Sequence, residues 1–481
     1  MKVGITANFQ FSFFSGGGSS TTIATAELCK KLGYDVYLVN VNGTQDWWDD
    51  CRGLKTEYPN ILHLETLTKQ TENTDDIQLD ILLEVTSLIA SAELRKKIAK
   101  QCVWVVRKPI LLNDIENSIY PLTVTKRTLE GLTAIWALDL ETTKDELEYL
   151  EVLSRDVPVR HIPFIWSPTA IEAHKKDING SEWIQILYYF IQQKGGLPPW
   201  SVHICETNTS ASSSCTIPLV ALREIKRKSM IPLSNYKIHN ADHIQKNEFF
   251  KQNVMKHCEI ADLSGSFFGR QRVIDWIYDP ASVVFSHIRF RALRPMLLDT
   301  IWSGIPLVHN SKVLQELGSP YYYSNNSIIE VGTAFTTLHQ DLLQGKGMFQ
   351  TGYLDTLKAK IRETITCDST RVQNGWKAAF ASLPALLVAT TIAPREKKTL
   401  NVLFTDMWDQ FNPAYNMFIL AFRNCMQNVE VCGYSMETLS PEIKCDIHIF
   451  GPFGQDWRKI VGPKIHYTGE NTKPILEKSV K

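Results

Sequence analysis

The sequence predicts an α/β protein: two Rossmann-like domains facing across a cleft, with part of a third α/β unit behind them. Three observations predict it. Short apolar strands alternate with helical patterns from residue 2 onward, as in βαβ units with parallel strands. After residues 160–168, which hold Pro163 and Pro168, the alternation restarts at Trp200. Around Pro394-Arg395-Glu396-Lys397-Lys398 the composition turns polar, and a fresh strand begins at Leu400. The expected domains are therefore residues 1–168, 169–392 and 398–481.

The elements follow in order. Residues 2–7 read as a strand. A loop ending in Gly16-Gly17-Gly18-Ser19-Ser20 leads to a helix over 22–32, with Ile23, Ala26 and Leu28 on its apolar face and Gly33 as its stop. Strands are expected at 35–39, 80–85, 102–106 and 134–138, with a helix over 92–100. The flat apolar run at 160–168 suits a crossover between domains that serves as a hinge. The second half reads as a strand at 200–205, a polar loop at 206–215 and a helix over 218–226. Strands at 236–239 and 283–285, a basic helix over 289–302 and a buried strand at 304–308 complete it, and helices run on to about residue 389.

Composition narrows the function. With 481 residues the chain exceeds one ordinary core, and 44% hydrophobic with 21% charged residues marks it as globular. Lys plus Arg equals Asp plus Glu, 51 each, so no bulk field favours nucleic acid or an anionic membrane, and neither is expected as a partner. No apolar run reaches the ~18 residues of a membrane span. The ten cysteines are scattered, without CxxC or a Cys/His cluster, which suits reduced thiols and a cytoplasmic location. The N-terminal residues read as a strand rather than a signal peptide. Asp46, Asp49 and Asp50 suit a helix start better than a metal site, and no metal is expected to be required.

Four stretches carry the chemistry. Gly16, Gly17, Gly18 and Ser19 lie between a strand and a helix, where backbone can approach a ligand and free N–H groups favour anions. The run from Ser286 and His287 through Arg289, Arg291 and Arg294 joins a strand to basic side chains, and a diphosphate needs such a hydroxyl, N–H donors and fixed cations. Asp299 follows, a carboxylate suited to ribose hydroxyls. His309, Asn310 and Ser311 end a buried strand, and Ser213 sits in the polar loop after another; ligands of open α/β sheets bind beyond such strand ends.

The first 390 residues or so resemble GT-B glycosyltransferases. The resemblance is most specific over residues 292–311, ending in Ser-Gly-Ile-Pro-Leu-Val-His-Asn-Ser, which is similar to the donor-side segment of those enzymes and to poorly characterised GT-B-like proteins of bacteria and large DNA viruses. It implies a nucleotide-sugar donor, with a UDP-sugar expected, and a glycan or glycoprotein acceptor. Asp299 would contact the ribose, Arg289 or Arg294 the diphosphate, and His309, Asn310 and Ser311 the sugar. Retaining members carry two glutamates eight positions apart; here Arg291 stands eight before Asp299, so the resemblance names no catalytic pair.

Residues 446–454 and 464–474, the latter containing Tyr467-Thr468-Gly469-Glu470-Asn471, resemble the N-terminal part of an α1,3-fucosyltransferase. That resemblance makes Glu470 a general-base candidate. In that family the GDP-fucose half lies further downstream, so fucosyl transfer is not expected from these residues alone, and the chain reads as the front part of a larger multi-transferase protein. Some large algal viruses encode multi-transferase proteins of that kind and glycosylate their capsid proteins in the host cytoplasm, so the resemblance implies a viral capsid glycan as an acceptor. The rivals are a sugar- or nucleotide-binding scaffold without turnover and a nicotinamide-dependent oxidoreductase. The missing GxGxxG, and Asn40 and Asn42 where an acidic residue is usual, speak against the last.

Overall fold

Parallel strands covered on both faces are buried at nearly every position and read as near-continuous apolar runs. Here β6 (Ala134–Leu138) and β8 (Trp200–Ile204) are buried at every position. The structure, a computed structural model, describes residues 1–9, 13–15, 17–42, 52–69, 78–119, 127–177, 182–258, 264–271, 279–384, 398–407, 412–413, 418–419, 422, 429–435, 437–438, 444–451 and 464–466.

The first sheet has the order β3-β2-β1-β4-β5-β6-β7. Its other strands are β1 (Lys2–Ala7), β2 (Asp35–Asn40), β3 (Ile61–His63), β4 (Leu79–Glu84), β5 (Ala99–Val106) and β7 (Val159–Ile162), all paired in parallel. The second sheet runs β10-β9-β8-β11-β12, adding β9 (Leu233–Ile238), β10 (Ser264–Phe267), β11 (Ser282–Phe285) and β12 (Leu307–Val308), again all parallel. Both are doubly wound, so the expected two Rossmann-like halves are present. In each, the order reverses beside the first strand, opening a crevice at the strand ends between β1 and β4 and between β8 and β11.

Residues 1–150 and 157–386 form one compact unit that holds both sheets; residues 151–156 and 387–481 form the other. In the second unit, β13 (Lys398–Thr405), β14 (Val429–Tyr434), β15 (Ile447–Phe450) and β16 (Lys464–His466) pair in parallel in the order β14-β13-β15-β16. Val402, Phe404, Ile419, Val431 and Ile449 pack as its small core.

One apolar core runs continuously through both halves of the first unit. Tryptophans carry it across. Trp136 of β6 meets Trp376 edge-on at 5.7 Å, and Trp166 of the crossover lies 5.4 Å from Trp302. The Trp376 indole donates to the Pro163 carbonyl at 2.9 Å. A Cβ on Gly375 would lie 2.3 Å from Pro163 Cγ, so only glycine lets the helix Thr370–Ala381 press this close. The crossover expected as a hinge is therefore core: Phe164, Ile165 and Trp166 are wholly buried.

Two expected elements differ. The first helix spans Gly17–Lys31 and begins five residues earlier than the apolar pattern indicates, because Gly17 to Thr22 are small residues without an apolar signature. The basic helix expected over 289–302 is helical only over Pro295–Trp302. Arg294, preceding a proline, takes an extended conformation at the N-cap, and Phe290 has φ +59°. The arginines before it therefore sit on a loop, where they can point in different directions. The strands β3, β7, β10, β14, β15 and β16 went unforeseen. No described helix is long and apolar enough to cross a membrane, and eight described cysteines are free thiols.

Glu84 at the end of β4 and Arg95 are both fully buried and form a two-pronged ion pair at 2.6 and 2.9 Å. Arg95 also donates to the carbonyls of Thr128 and Glu130. Removing one partner strands the other charge, so Glu84→Leu should cost roughly 3–5 kcal/mol, read as a lowered urea midpoint.

Candidate functional site

The parallel register decides what meets at the crevice. Phe285, the last residue of β11, pairs with Ile204, the last of β8. Two residues beyond Ile204 stands Glu206, beside Ser286 and His287, which follow Phe285. Glu206 is fully buried, and its carboxylate gathers donors from four places. It accepts from the Ser286 hydroxyl at 2.7 Å and the His287 N–H at 2.9 Å, from the Ser213 hydroxyl, and from the Arg294 guanidinium. Arg294 also donates to Ser213 Oγ at 2.8 Å.

Ser213, Ser286 and Arg294 thus come together around an internal carboxylate. A buried charge must be compensated, and Glu206 and Arg294 compensate each other. His287 shares a hydrogen bond with Tyr323 Oη at 3.0 Å, and burial lowers its pKa.

The other expected residues have distinct surroundings. Asn310 clamps the 286–294 loop, accepting from the Ile288 N–H at 2.9 Å and donating to its carbonyl at 2.8 Å. Ser311 caps the helix Lys312–Leu317 and donates to the Ala292 carbonyl at 2.6 Å. His309 is buried against Ser319 at 3.0 Å, and burial pulls it down to about 4. Asp299 accepts from the Trp166 indole at 2.7 Å, and burial pushes its carboxyl up to about 7. Arg289 is exposed, its guanidinium over the Phe290 ring. Gly17 and Gly18 form the first helical turn, with Ser19 buried behind them. A Cβ on Gly17 would meet Pro295 at 3.3 Å, and one on Gly18 would meet the Arg107 guanidinium at 3.3 Å. Gly16, Asp46, Asp49, Asp50 and Glu470 lie outside the described residues.

The two halves meet at this point. The Leu140 carbonyl, just past β6, accepts from the N–H groups of Ala292 and Leu293 at 2.9 and 3.0 Å. This clip brings Arg291 from the second half to Arg107 and Glu141 of the first. Glu141 is 2% exposed, and its Oε2 has no hydrogen-bond partner; the same is true of Arg291 Nε. Burial pushes the Glu141 carboxyl up to about 7, against the pull of Arg107, Arg291 and Arg294. Burial lowers Arg291 to about 10.

Arg291 also donates to Ser212, which bonds Ser210 at the rim of a cavity of about 290 Å³. Asn113, Glu116 and Asn117 line it from the first half, and Asn208, Ser214 and Phe250 from the second. Glu116 bridges the rim, accepting from the Ser210 hydroxyl at 3.1 Å and the Ala211 N–H at 2.6 Å.

Arg107, Glu141, Arg291 and the anchoring role of Glu206 were not anticipated as site features. Arg107, Glu141 and Glu206 each lie one to three residues beyond a strand end, so a charged residue just past a buried strand was the available signal.

The family described as a protein of unknown function (DUF2827) matches residues 23–375, a stretch that takes in both sheets and all of this constellation. This chain belongs to that family. No curated protein matches the chain. Among solved structures, an α-glucosyltransferase in complex with UDP and a 13-mer DNA containing a HMU base is 10% identical, over 79% of this chain and 98% of that one, with a TM-score of 0.47. Anabaena Alr3699/HepE in complex with UDP and glucose is 9% identical, over 80% and 100%, with a TM-score of 0.46. The pneumococcal O-GlcNAc transferase GtfA in complex with UDP and GlcNAc is 10% identical, over 80% and 99%, with a TM-score of 0.43. Likeness of this degree carries no argument about the chemistry of this DUF2827 member.

Asp299 and Glu141 hold their protons more tightly folded than unfolded. Their contribution to stability is full below the ordinary carboxyl range near 4 and is lost as pH rises through about 7. Asp299→Asn, which keeps an oxygen for Trp166, should therefore shrink the drop in melting temperature between pH 5 and pH 8 by several degrees, measured by calorimetric scans.

Proposed function

We propose that the crevice holds the diphosphate of a nucleotide-sugar and that the protein transfers the sugar to a glycan acceptor, free or on a glycoprotein. One observation carries the reading: the charge imbalance where the two halves meet. With Arg294 paired to Glu206 and Arg127 to Asp114, the cations Arg107, Lys108 and Arg291 are left with Glu141 as the carboxylate among them, so two positive charges stay uncompensated. A bound diphosphate supplies that charge and accepts from Arg291 Nε.

The first turn of the helix Gly17–Lys31, pressed against Arg107 at Gly18, adds N–H groups and the positive end of a helix dipole. The neighbouring cavity suits a polyhydroxyl group, since amides, hydroxyls and one carboxylate surround the apolar Phe250 and Ile244. In this reading the donor is a UDP-sugar. Arg107 and Arg291 stabilise the departing nucleotide, the role of a metal ion elsewhere, so none is required. Ser286, Ser213 and Arg294 act by fixing Glu206 and the loop that presents Arg291.

Titrating UDP by calorimetry tests the reading. Arg291→Ala should weaken UDP binding by about 1.5–3 kcal/mol, the scale of a hydrogen bond to a charged group. Release of UDP from a panel of UDP-sugars separates a transferase from a non-catalytic scaffold. Absence of binding across UDP and the whole panel would overturn the proposal.

A further inference from the structure

Glu141 stands apart from every other buried carboxylate in the crevice. Glu206 is saturated with donors. Glu146 on the helix Lys144–Ser154 is committed to the N–H groups of Ile110 and Leu111 at 2.6 and 2.8 Å. Glu141 Oε2 is as deeply buried and bonds to nothing. Its position is fixed: the N–H groups of Glu141 and Thr142 both donate to the Leu138 carbonyl at 3.0 Å, and the preceding residue, Leu140, carries the clip between the halves.

The charged groups facing it come from two elements. Arg107 lies at the end of β5, and Arg291 and Arg294 lie on the loop before the helix Pro295–Trp302. The third wall, the start of the helix Gly17–Lys31, brings no acidic side chain in its first turn. A carboxyl left free among cations, at the point where the diphosphate reading places the reacting bond, is built to exchange a proton.

We propose that Glu141 is the general base of the sugar transfer. The inference rests on the nucleotide-sugar reading of the crevice. The acceptor hydroxyl oxygen bonds to the anomeric carbon of the donor sugar, and its proton passes to Glu141 Oε2. The bond between that carbon and the phosphate oxygen breaks, and its electron pair leaves with the nucleoside diphosphate, held by Arg107 and Arg291. A carboxyl whose proton affinity burial has raised to about 7 accepts a proton at neutral pH far better than an ordinary one. Arrival of the diphosphate adds negative charge and cancels the arginines' pull, raising that affinity further.

Proton uptake on UDP binding tests this without knowledge of acceptor or sugar. Calorimetry at pH 8, where UDP is fully ionised, in buffers of unlike ionisation enthalpy should show a fraction of a proton taken up by the wild type. Glu141→Gln, which lacks the negative charge that opposes the diphosphate, should bind UDP at pH 8 at least as tightly as the wild type and take up none. Glu141→Asp should keep the uptake. On the UDP-sugar that turns over, Glu141→Gln should lower kcat about 100-fold or more and remove the acidic limb of its pH profile, with KM for donor no higher than in the wild type. Uptake equal in wild type and Glu141→Gln, or no uptake by the wild type, would overturn the role of Glu141 and leave the nucleotide site standing. Failure of the wild type to bind UDP would overturn both.

Discussion

The buried carboxylate of Glu206 is the constraint on which the crevice depends. A charge in the interior is tolerated only when donors surround it. Here the donors come from beyond the end of β11, a polar loop and the residue that starts a helix. Satisfying one carboxylate therefore fixes the path of residues 286–294. That loop, clamped in turn by Asn310, Ser311 and the Leu140 carbonyl, carries Arg291 to the first half.

Two carboxylates in one crevice thus have opposite standing. Glu206 has its full set of partners and can do no chemistry without breaking them. Glu141 faces cations, yet keeps an oxygen unbonded, so its protonation is free to change. The difference is one of geometry: Glu206 lies where the strand register brings donors to it, and Glu141 lies where the two halves of the chain meet, with no donor on its Oε2.

The spacing of side chains where the halves meet is settled because the two halves are not loosely joined. The crossover is buried, tryptophans from both halves share one core, and the helix Thr370–Ala381 packs on Pro163 through Gly375. An apolar core continuous across a crevice holds the opposed side chains at fixed spacing, which is what pre-organised electrostatics requires.

The sequence by itself determined most strands of both sheets. A parallel strand buried on both faces is a near-continuous apolar run, as at 134–138 and 283–285; in 200–204 the buried Ser201 and His203 interrupt the run and are hydrogen-bonded to Asn235 and Ser282. It also pointed to the strand ends, and so to Ser286 and Arg294. It missed the start of the first helix because small residues leave no periodicity, and it extended a helix back over 289–294 although Pro295 already argued against helical geometry at Arg294. What only the tertiary structure decided was partnership. Glu206 and Arg294 are 88 residues apart, and whether Arg294 faces a ligand or an internal carboxylate depends on which strands lie side by side. Strand order is a long-range property, set by packing of the whole sheet, and no local pattern around either residue encodes it.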